Sequence, residues 1–413
     1  MTPRRLVVVG ASLAGLRAVT AARECGFDGR VTLVGAEEHL PYDRPPLSKE
    51  FLAAEEEPPP PTHPDAALLR DGLGVELLLG EPATALDPTA RTVTVGGAEI
   101  PYDALVIATG ARPRVLPAHR PPAPPLDGVH PLRTLDDARA VRRALDAGAR
   151  TVVVGAGFIG SEVASEARRR GLDVTVVEAL PAPMSRSLGA ETGAVFADLH
   201  TTHGTELRCD TTVTGIEGHG RVERVLLSDG SAVEADLVVV GIGAAPATEW
   251  LAGSGVAVRD GVLCDPYLAT GTPGVWAAGD VARRQLAGHG RTLRLEHWTN
   301  AAEQGALAAR NAVGPGPAEP CTTVPYFWSQ WYGHRIQFVG LPEGEQVEIL
   351  GDTATPCFIA LYRSGDRLAG ALAVNRAGAV PGLRRLVRAG ASWAQALAHA
   401  GRLATSSSTK GTK

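Results

Sequence analysis

Residues 4–25, RRLVVVGASLAGLRAVTAAREC, run from a short β-branched apolar stretch through a glycine turn into apolar positions at helical spacing. Residues 150–171, RTVVVGAGFIGSEVASEARRRG, repeat the plan. Each is followed by a second apolar run, RVTLVGAEE (30–38) and DVTVVEA (173–179). Strand, turn, amphipathic helix and strand in that order begin a βαβ unit, so the repeat predicts two such units in series. The likeness continues downstream. RTVTVGGAEIPYDALVIATG (91–110) and ERVLLSDGSAVEADLVVVGIG (223–243) both read strand, turn, strand, then a buried run ending in glycine. Gly96-Gly97 and Asp229-Gly230 suit tight hairpin turns.

Beyond 245 the pattern changes. DGVLCDPYLATGTPGVWAAGD (260–280) is strand-like, and NAAEQGALAARNAVG (300–314) predicts a helix closed by Gly314. From about 321 a third section begins, with strands at QVEIL and FIALYR and a helical stretch near 381–400. The predicted class is α/β: two Rossmann-like dinucleotide-binding domains, 1–115 with 245–320 and 116–244, plus a C-terminal α+β domain at 321–403. EEEPPPPTHP (55–64) and PPAPPL (121–126) predict stiff connections, and 404–413 a flexible polar tail.

The 413 residues suffice for two or three cores, and 44% hydrophobic with 21% charged is ordinary for a globular protein. A net charge of −5 argues against nucleic acid as the main partner. The opening MTPRRLVVVGASLAG has twin arginines, but its apolar core stops at Val9, too short for a secretion signal. No stretch reaches the ~18 apolar residues of a membrane span. The five cysteines lie far apart, with no CxxC and no metal-ligand spacing, which suits a reducing cytoplasm. Of 40 Lys and Arg, Lys49 is the one lysine before residue 410.

Gly155, Gly157 and Gly160 form a full GxGxxG between strand and helix. Such glycines allow a tight turn and a close approach of backbone to pyrophosphate, which the helix N-terminus attracts. Glu178 ends the next strand, where a carboxylate accepts from a ribose diol and repels a 2′-phosphate, favouring NADH over NADPH. The first loop reads Gly10, Ser12, Gly15, with serine in the middle position and Glu37 and Glu38 beyond the second strand. Two dinucleotides in one chain point to NADH beside FAD, since hydride passes from nicotinamide to flavin.

The chain resembles the FAD-dependent NADH:ferredoxin reductases of bacterial oxygenase systems, of the putidaredoxin reductase and rubredoxin reductase type, within the pyridine nucleotide-disulfide oxidoreductase superfamily. The residues that carry the resemblance are GASLAGLRA (10–18), LVGAEEHLPYDRPPLSK (33–49), YDALVIATGARPR (102–114), LRTLDDA (132–138), VVVGAGFIGSEVA (152–164), GVWAAGDVA (274–282), EHWTNAAEQG (296–305) and PYFWSQWYGHRIQFVG (325–340). The resemblance implies FAD contacts from Gly10, Ser12, Ala14, Gly15, Glu37, Arg44, Pro45, Lys49, Ala83, Thr109, Gly110, Arg133, Asp280 and Trp298. It implies an NADH site lined by Gly155, Gly157, Ile159, Gly160, Glu178, Arg186 and Gly243. No metal is implied in the chain itself.

The resemblance also pairs Lys49 with Glu162 beside the reactive edge of the flavin, where a positive charge would draw in hydride. A plain inter-domain salt bridge is the competing explanation. Relatives that reduce disulfides keep a cysteine pair in the region around PYDRPPLSKEFL, and this chain has none there. Electrons would therefore leave for an external acceptor, an iron–sulfur ferredoxin. An NADH oxidase or small-molecule reductase, and a redox-sensing flavoprotein, are the alternatives, and monomer or homodimer stays open.

Overall fold

The computed structural model describes residues 3–62, 66–116, 126–286 and 292–405. Residues 63–64 of the first proline run, 121–125 of the second and the tail beyond 405 lie outside the described residues. The chain divides into two compact units: Met1–Asp43, Pro59–Arg112 and Ala244–Pro325 form the first, and Arg44–Pro58, Pro113–Gly243 and Tyr326–Lys413 the second.

The first unit is built on a five-stranded sheet in the order Val275–Ala277, Ala104–Ile107, Arg5–Val9, Arg30–Gly35, Val75–Leu79. Every pairing in it is parallel, with Val7 level with Thr32 and Leu105. Strands covered on both faces need continuous apolar runs rather than alternation. Leu6, Val7 and Val8 are accordingly at most 1% exposed. Helices Leu13–Glu24 and Trp298–Val313 cover one face, sharing a core of Leu16, Val19, Leu307 and Ala308. A three-stranded antiparallel sheet spans Ala83–Asp87, Thr92–Val95 and Ala98–Pro101. Its hairpin turns on Gly96 and Gly97, both at positive φ (55° and 80°), as a two-residue primed turn requires.

The second unit repeats this plan. Its parallel sheet runs Glu206–Arg208, Val174–Val177, Thr151–Val154, Leu237–Val240, Val129–Pro131. A three-stranded antiparallel sheet again accompanies it. Here the turn differs: only Gly230 of the Asp229-Gly230 pair has positive φ (84°), and Asp229 Oδ1 accepts the Ser231 N–H, so the turn is longer than two residues. Helix Leu135–Asp146 starts on a full capping box of Thr134 and Asp137.

Tyr326–Trp331 opens a five-stranded antiparallel sheet that ends at Val374. Trp331, Phe338 and Phe358 on one face pack with Leu188, Phe196 and Leu199 of the helices Ser185–Leu188 and Ala190–Thr202. The other face packs on two C-terminal helices. The sequence pattern predicts one helical stretch near 381–400; the structure has Val380–Arg388 and Trp393–Thr405. Gly390 (φ 62°) breaks them, because the Gly390 and Ala391 N–H groups donate back to Val387 and Leu386 in a Schellman stop.

One boundary differs from the sequence pattern. The stretch 44–58, expected within the first unit, groups with the second. It holds a 3₁₀ turn Pro45–Ser48 and a short helix Glu50–Ala53, with Phe51 and Leu52 at most 1% exposed. We refer to it as the arm.

Close helix packing in the first unit depends on Gly305. A Cβ there would lie 2.1 Å from the Ala14 carbonyl oxygen, a backbone atom that cannot swing away. Gly305→Ala is expected to cost about 1–3 kcal/mol as an overpacked contact. Thermal unfolding of the purified variant checks this, and an unchanged midpoint would contradict it.

Candidate functional site

Both glycine loops are shaped by backbone approach. Gly10 (φ 120°) and Gly155 (φ 102°) accept no side chain, because a Cβ would come within 2.1 Å of the Ala108 oxygen and 2.5 Å of the Gly241 oxygen. Gly15 and Gly160 sit equally tightly on the carbonyls of Gly10 and Gly155, at 1.9 and 2.1 Å from a hypothetical Cβ. Gly157 is different: a Cβ there would meet nothing within 4 Å. That open space faces the start of helix Phe158–Arg169, which no side chain caps. Ser12, extended at φ −115°, holds the matching place before Leu13 and likewise does not cap its helix. Two uncapped helix N-termini above glycine cradles fit two pyrophosphates.

Around the second loop, Glu178 is tied down by its own backbone surroundings. Its Oε2 accepts the Ala156 N–H at 2.7 Å and its Oε1 the Leu180 N–H at 2.9 Å. Each carboxylate oxygen has two lone pairs, so each keeps one for a ribose hydroxyl. Arg186 and Gly243 come together, with Arg186 Nη1 3.5 Å from a Cβ built on Gly243. Ile159 is 41% exposed in the first helical turn, an apolar surface suited to cover by a planar ligand.

Around the first loop, Tyr42 donates to Glu37 at 2.5 Å. Glu37 is half-buried where Glu38 is exposed. Thr109 donates to the Ala247 oxygen at 2.7 Å, and Gly110 accepts from the Ala247 N–H at 3.0 Å. Asp280 lies in the 3₁₀ turn Gly279–Val281, beside the glycine-loop helix: a Cβ on Gly279 would be 3.1 Å from the Ala14 Cβ. Trp298 begins its helix and donates its indole N–H to Asp43 at 2.6 Å. Ala83 opens the antiparallel sheet opposite Val95.

The densest polar cluster lies in the second unit at Glu162. This carboxylate is 2% exposed. Lys49 Nζ lies 2.8 Å from its Oε2 and also donates to the Pro45 carbonyl at 3.2 Å. Ser48 donates to the same Oε2, and Ser329 donates to Oε1 at 2.5 Å. Arg44 donates to the Arg133 carbonyl at 2.6 Å, tying the start of the arm to the residue before the capping box. Lys49 and Glu162 thus belong to the same compact unit.

Residues 4–305 match the family described as Pyridine nucleotide-disulphide oxidoreductase, and residues 326–404 match Reductase C-terminal. The chain belongs to the pyridine nucleotide-disulphide oxidoreductase family. It is 37% identical to rhodocoxin reductase of Rhodococcus erythropolis over 90% of this chain and 86% of that one. It is 38% identical to the biphenyl dioxygenase system ferredoxin–NAD(+) reductase component of Paraburkholderia xenovorans over 87% of each. Among solved structures it superposes on the covalent putidaredoxin reductase–putidaredoxin complex with a TM-score of 0.88 at 33% identity, covering 94% of this chain and 93% of that one.

Three features of this pyridine nucleotide-disulphide oxidoreductase were not read from sequence: the serine donors to Glu162, Asp43 under Trp298, and a buried chain at Ser161. The one sequence signal for the first is a serine inside each of the motifs PPLSK and PYFWS. In the third, the His200 ring stands 3.2 Å from Ser161 Oγ and 3.0 Å from the Tyr332 hydroxyl, which Thr205 meets at 2.7 Å. Burial pushes His200 down to about 3, with His203 adding to the effect, and pushes Tyr332 up to about 12.

A histidine neutral in the fold takes up its proton on unfolding at any pH below its ordinary ~6.5. Between about 6.5 and about 3 the unfolded chain therefore binds more protons, and stability falls as pH falls through that window. His297, pushed down to about 4 by burial in the first unit, acts in the same sense. The thermal midpoint is expected to drop from pH 7 to pH 4, and to drop less steeply in His200→Gln. An equal slope in the variant would remove His200 as a source.

Proposed function

We propose that this chain is a flavoprotein NADH:ferredoxin reductase that supplies an oxygenase, carrying out NADH + 2 oxidised ferredoxin → NAD⁺ + 2 reduced ferredoxin + H⁺. FAD, when bound, supplies acceptance of a hydride and release of electrons one at a time. The first unit holds FAD on Gly10, Ser12, Ala14 and Gly15, with Glu37, Ala83, Thr109, Gly110, Asp280 and Trp298 around it. The resemblance assigns Arg44, Pro45, Lys49 and Arg133 to FAD as well. The second unit holds NADH on Gly155, Gly157, Ile159, Gly160, Glu178, Arg186 and Gly243, and the section from 326 is the C-terminal domain. The relatives named above are reductases, one of them the reductase component of a dioxygenase system, and they align over 87–94% of this chain. Five free thiols suit a reducing cytoplasm, and among the described residues no helix is long and apolar enough to cross a membrane.

The observation that carries this reading is the buried Lys49–Glu162 pair, in a chain with no cysteine in HLPYDRPPLSKEFL. A buried carboxylate is costly unless it is paired and hydrogen-bonded. Glu162 has both, from one ammonium and two hydroxyls. Among the described residues two of the three ammonium N–H groups of Lys49 have partners, Glu162 and the Pro45 carbonyl. The third is left to face a ligand. Glu162 therefore fixes one positive charge in place, and a fixed charge needs no reorganisation when negative charge arrives with the hydride. With no thiol pair in reach, electrons pass outward to a protein acceptor.

Steady-state NADH turnover against a panel of purified ferredoxins, read by a downstream haem protein, tests the function. Electron delivery should require a ferredoxin; rapid NADH consumption in air without one points instead to an oxidase. In stopped-flow work Lys49→Ala should slow flavin reduction by NADH roughly tenfold to a hundredfold while FAD stays bound. An unchanged rate would sink the role of Lys49. Glu178→Ala should narrow the preference for NADH over NADPH, and an unaltered ratio of kcat/KM values would take Glu178 out of the ribose site.

A further inference from the structure

Five consecutive backbone carbonyls follow Lys49 along the arm, and arginine side chains reach all five. Arg142 Nη1 donates to the Phe51 oxygen at 2.6 Å, and its Nη2 donates to Ala54 at 2.8 Å and Glu55 at 3.1 Å. Arg170 donates to the Leu52 oxygen and Arg169 to the Ala53 oxygen. The donors come from the two helices Leu135–Asp146 and Phe158–Arg169 and the residue that caps the second. Asp146 pairs with both Arg142 and Arg170, fixing the two guanidinium groups side by side. Arg142 is 3% exposed.

The physical need is clear from the length of the arm helix. Glu50–Ala53 has four residues, too few to satisfy its own carbonyls, and a helix end leaves its last carbonyls without internal partners. Such a turn would not persist alone, yet it starts immediately after Lys49. A planar fork with five donors can serve three carbonyls and an acid from one side chain; a lysine cannot. The same cluster continues outward, where Arg139 pairs with Glu57 at 2.9 Å.

We propose that Arg142, with Arg170 beside it, is a positioning residue for hydride transfer: the guanidinium clamp on carbonyls 51–55 holds the arm so that the Lys49 ammonium stays seated on Glu162. This rests on the role given to Lys49 above. The clamp reaches no ligand-facing atom and acts through the arm. Glu162 is carried on the helix that leads to Arg169, and Asp146 ties Arg142 to Arg170 at its end, so both halves of the ion pair are referenced to two linked helices.

The test uses the FAD-loaded protein and two readouts. Hydrogen exchange reports the arm directly, through the Ala53 and Ala54 amides that bond Lys49 and Glu50. In Arg142→Met they should exchange faster, with the rest of the unit unchanged; unaltered exchange overturns the proposal. Stopped-flow flavin reduction by NADH reports the consequence, through a double-mutant cycle. Arg142→Met should slow reduction roughly fivefold or more beside native Lys49, and less than about twofold in a Lys49→Ala background. Equal losses in both backgrounds, with Lys49→Ala itself slow, overturn the clamp alone. A silent Lys49→Ala overturns the reading of Lys49 and, with it, the catalytic side of the clamp. Arg142→Lys should recover only part of the rate, since one ammonium cannot span three carbonyls; full recovery contradicts the fork argument. Arg170→Met, at a site more open to solvent, repeats the cycle should Arg142→Met fold poorly.

Discussion

A carboxylate at 2% exposure sets the terms for the second unit. Taking Glu162 out of water without partners would cost several kcal/mol, and removing one member of a buried pair typically costs about 3–5 kcal/mol. The chain meets that demand from three separated stretches: Ser48 and Lys49 on the arm, Glu162 itself on the glycine-loop helix, and Ser329 on the first strand of the C-terminal sheet. The arm is also held by arginine donors and the C-terminal sheet by apolar packing, but only at Glu162 do all three stretches meet. The arm leaves the strand pattern at a run of prolines, and the C-terminal sheet begins beyond an entire intervening segment of the other unit. A buried acid with three donors therefore acts as a registry point, adding a directional constraint where the arm and the C-terminal sheet attach.

The glycine loops impose a second constraint, and they impose it twice. In both units the glycine after the first strand presses on the residue two places before the end of a later buried run, Ala108 in one and Gly241 in the other. This close approach brings the helix start up against the sheet and leaves the N–H groups pointing outward at the carboxyl ends of the strands. Serine at position 12 is extended, and at the matching Gly157 of the other loop a Cβ would meet nothing within 4 Å. The middle position of the motif thus tolerates a side chain where the first and last do not.

How much of this could be read from residues follows from the range of each interaction. The two βαβ beginnings are local patterns, and the parallel sheets bear them out strand by strand. Glu178 stands in sequence with its loop, whereas its two backbone donors, Ala156 and Leu180, have no sequence signal, since periodicity does not report where a carboxylate points. The two C-terminal helices looked like one because a Schellman stop at Gly390 costs a single glycine in an otherwise amphipathic run. The grouping of the arm with the second unit is not legible in sequence for a physical reason. Its partners are carbonyls, which carry no side-chain signature, and the residues that hold it, Arg142, Arg169 and Arg170, look like any solvated helix face. The serine donors were visible only as letters inside two longer motifs.

The distribution of basic residues then has a physical sense. Arginine suits the sites where one side chain must satisfy several fixed acceptors, as Arg142 does for three carbonyls and Asp146, or Arg150 for Glu234 and Asp236. Those are planar, multi-point tasks. The Glu162 site poses the opposite problem. Two hydroxyls already approach the carboxylate, the Pro45 carbonyl closes another side, and what remains is room for one compact charge that keeps a donor to spare. A guanidinium there would engage the carboxylate through a two-pronged fork and displace Ser48 or Ser329, spending its donors on Glu162 alone. An ammonium can satisfy Glu162 and Pro45 and still present an N–H elsewhere. The one lysine in the body of the chain stands where a point charge is required, and the arginines around it supply the rigidity that its flexible four-carbon stem lacks.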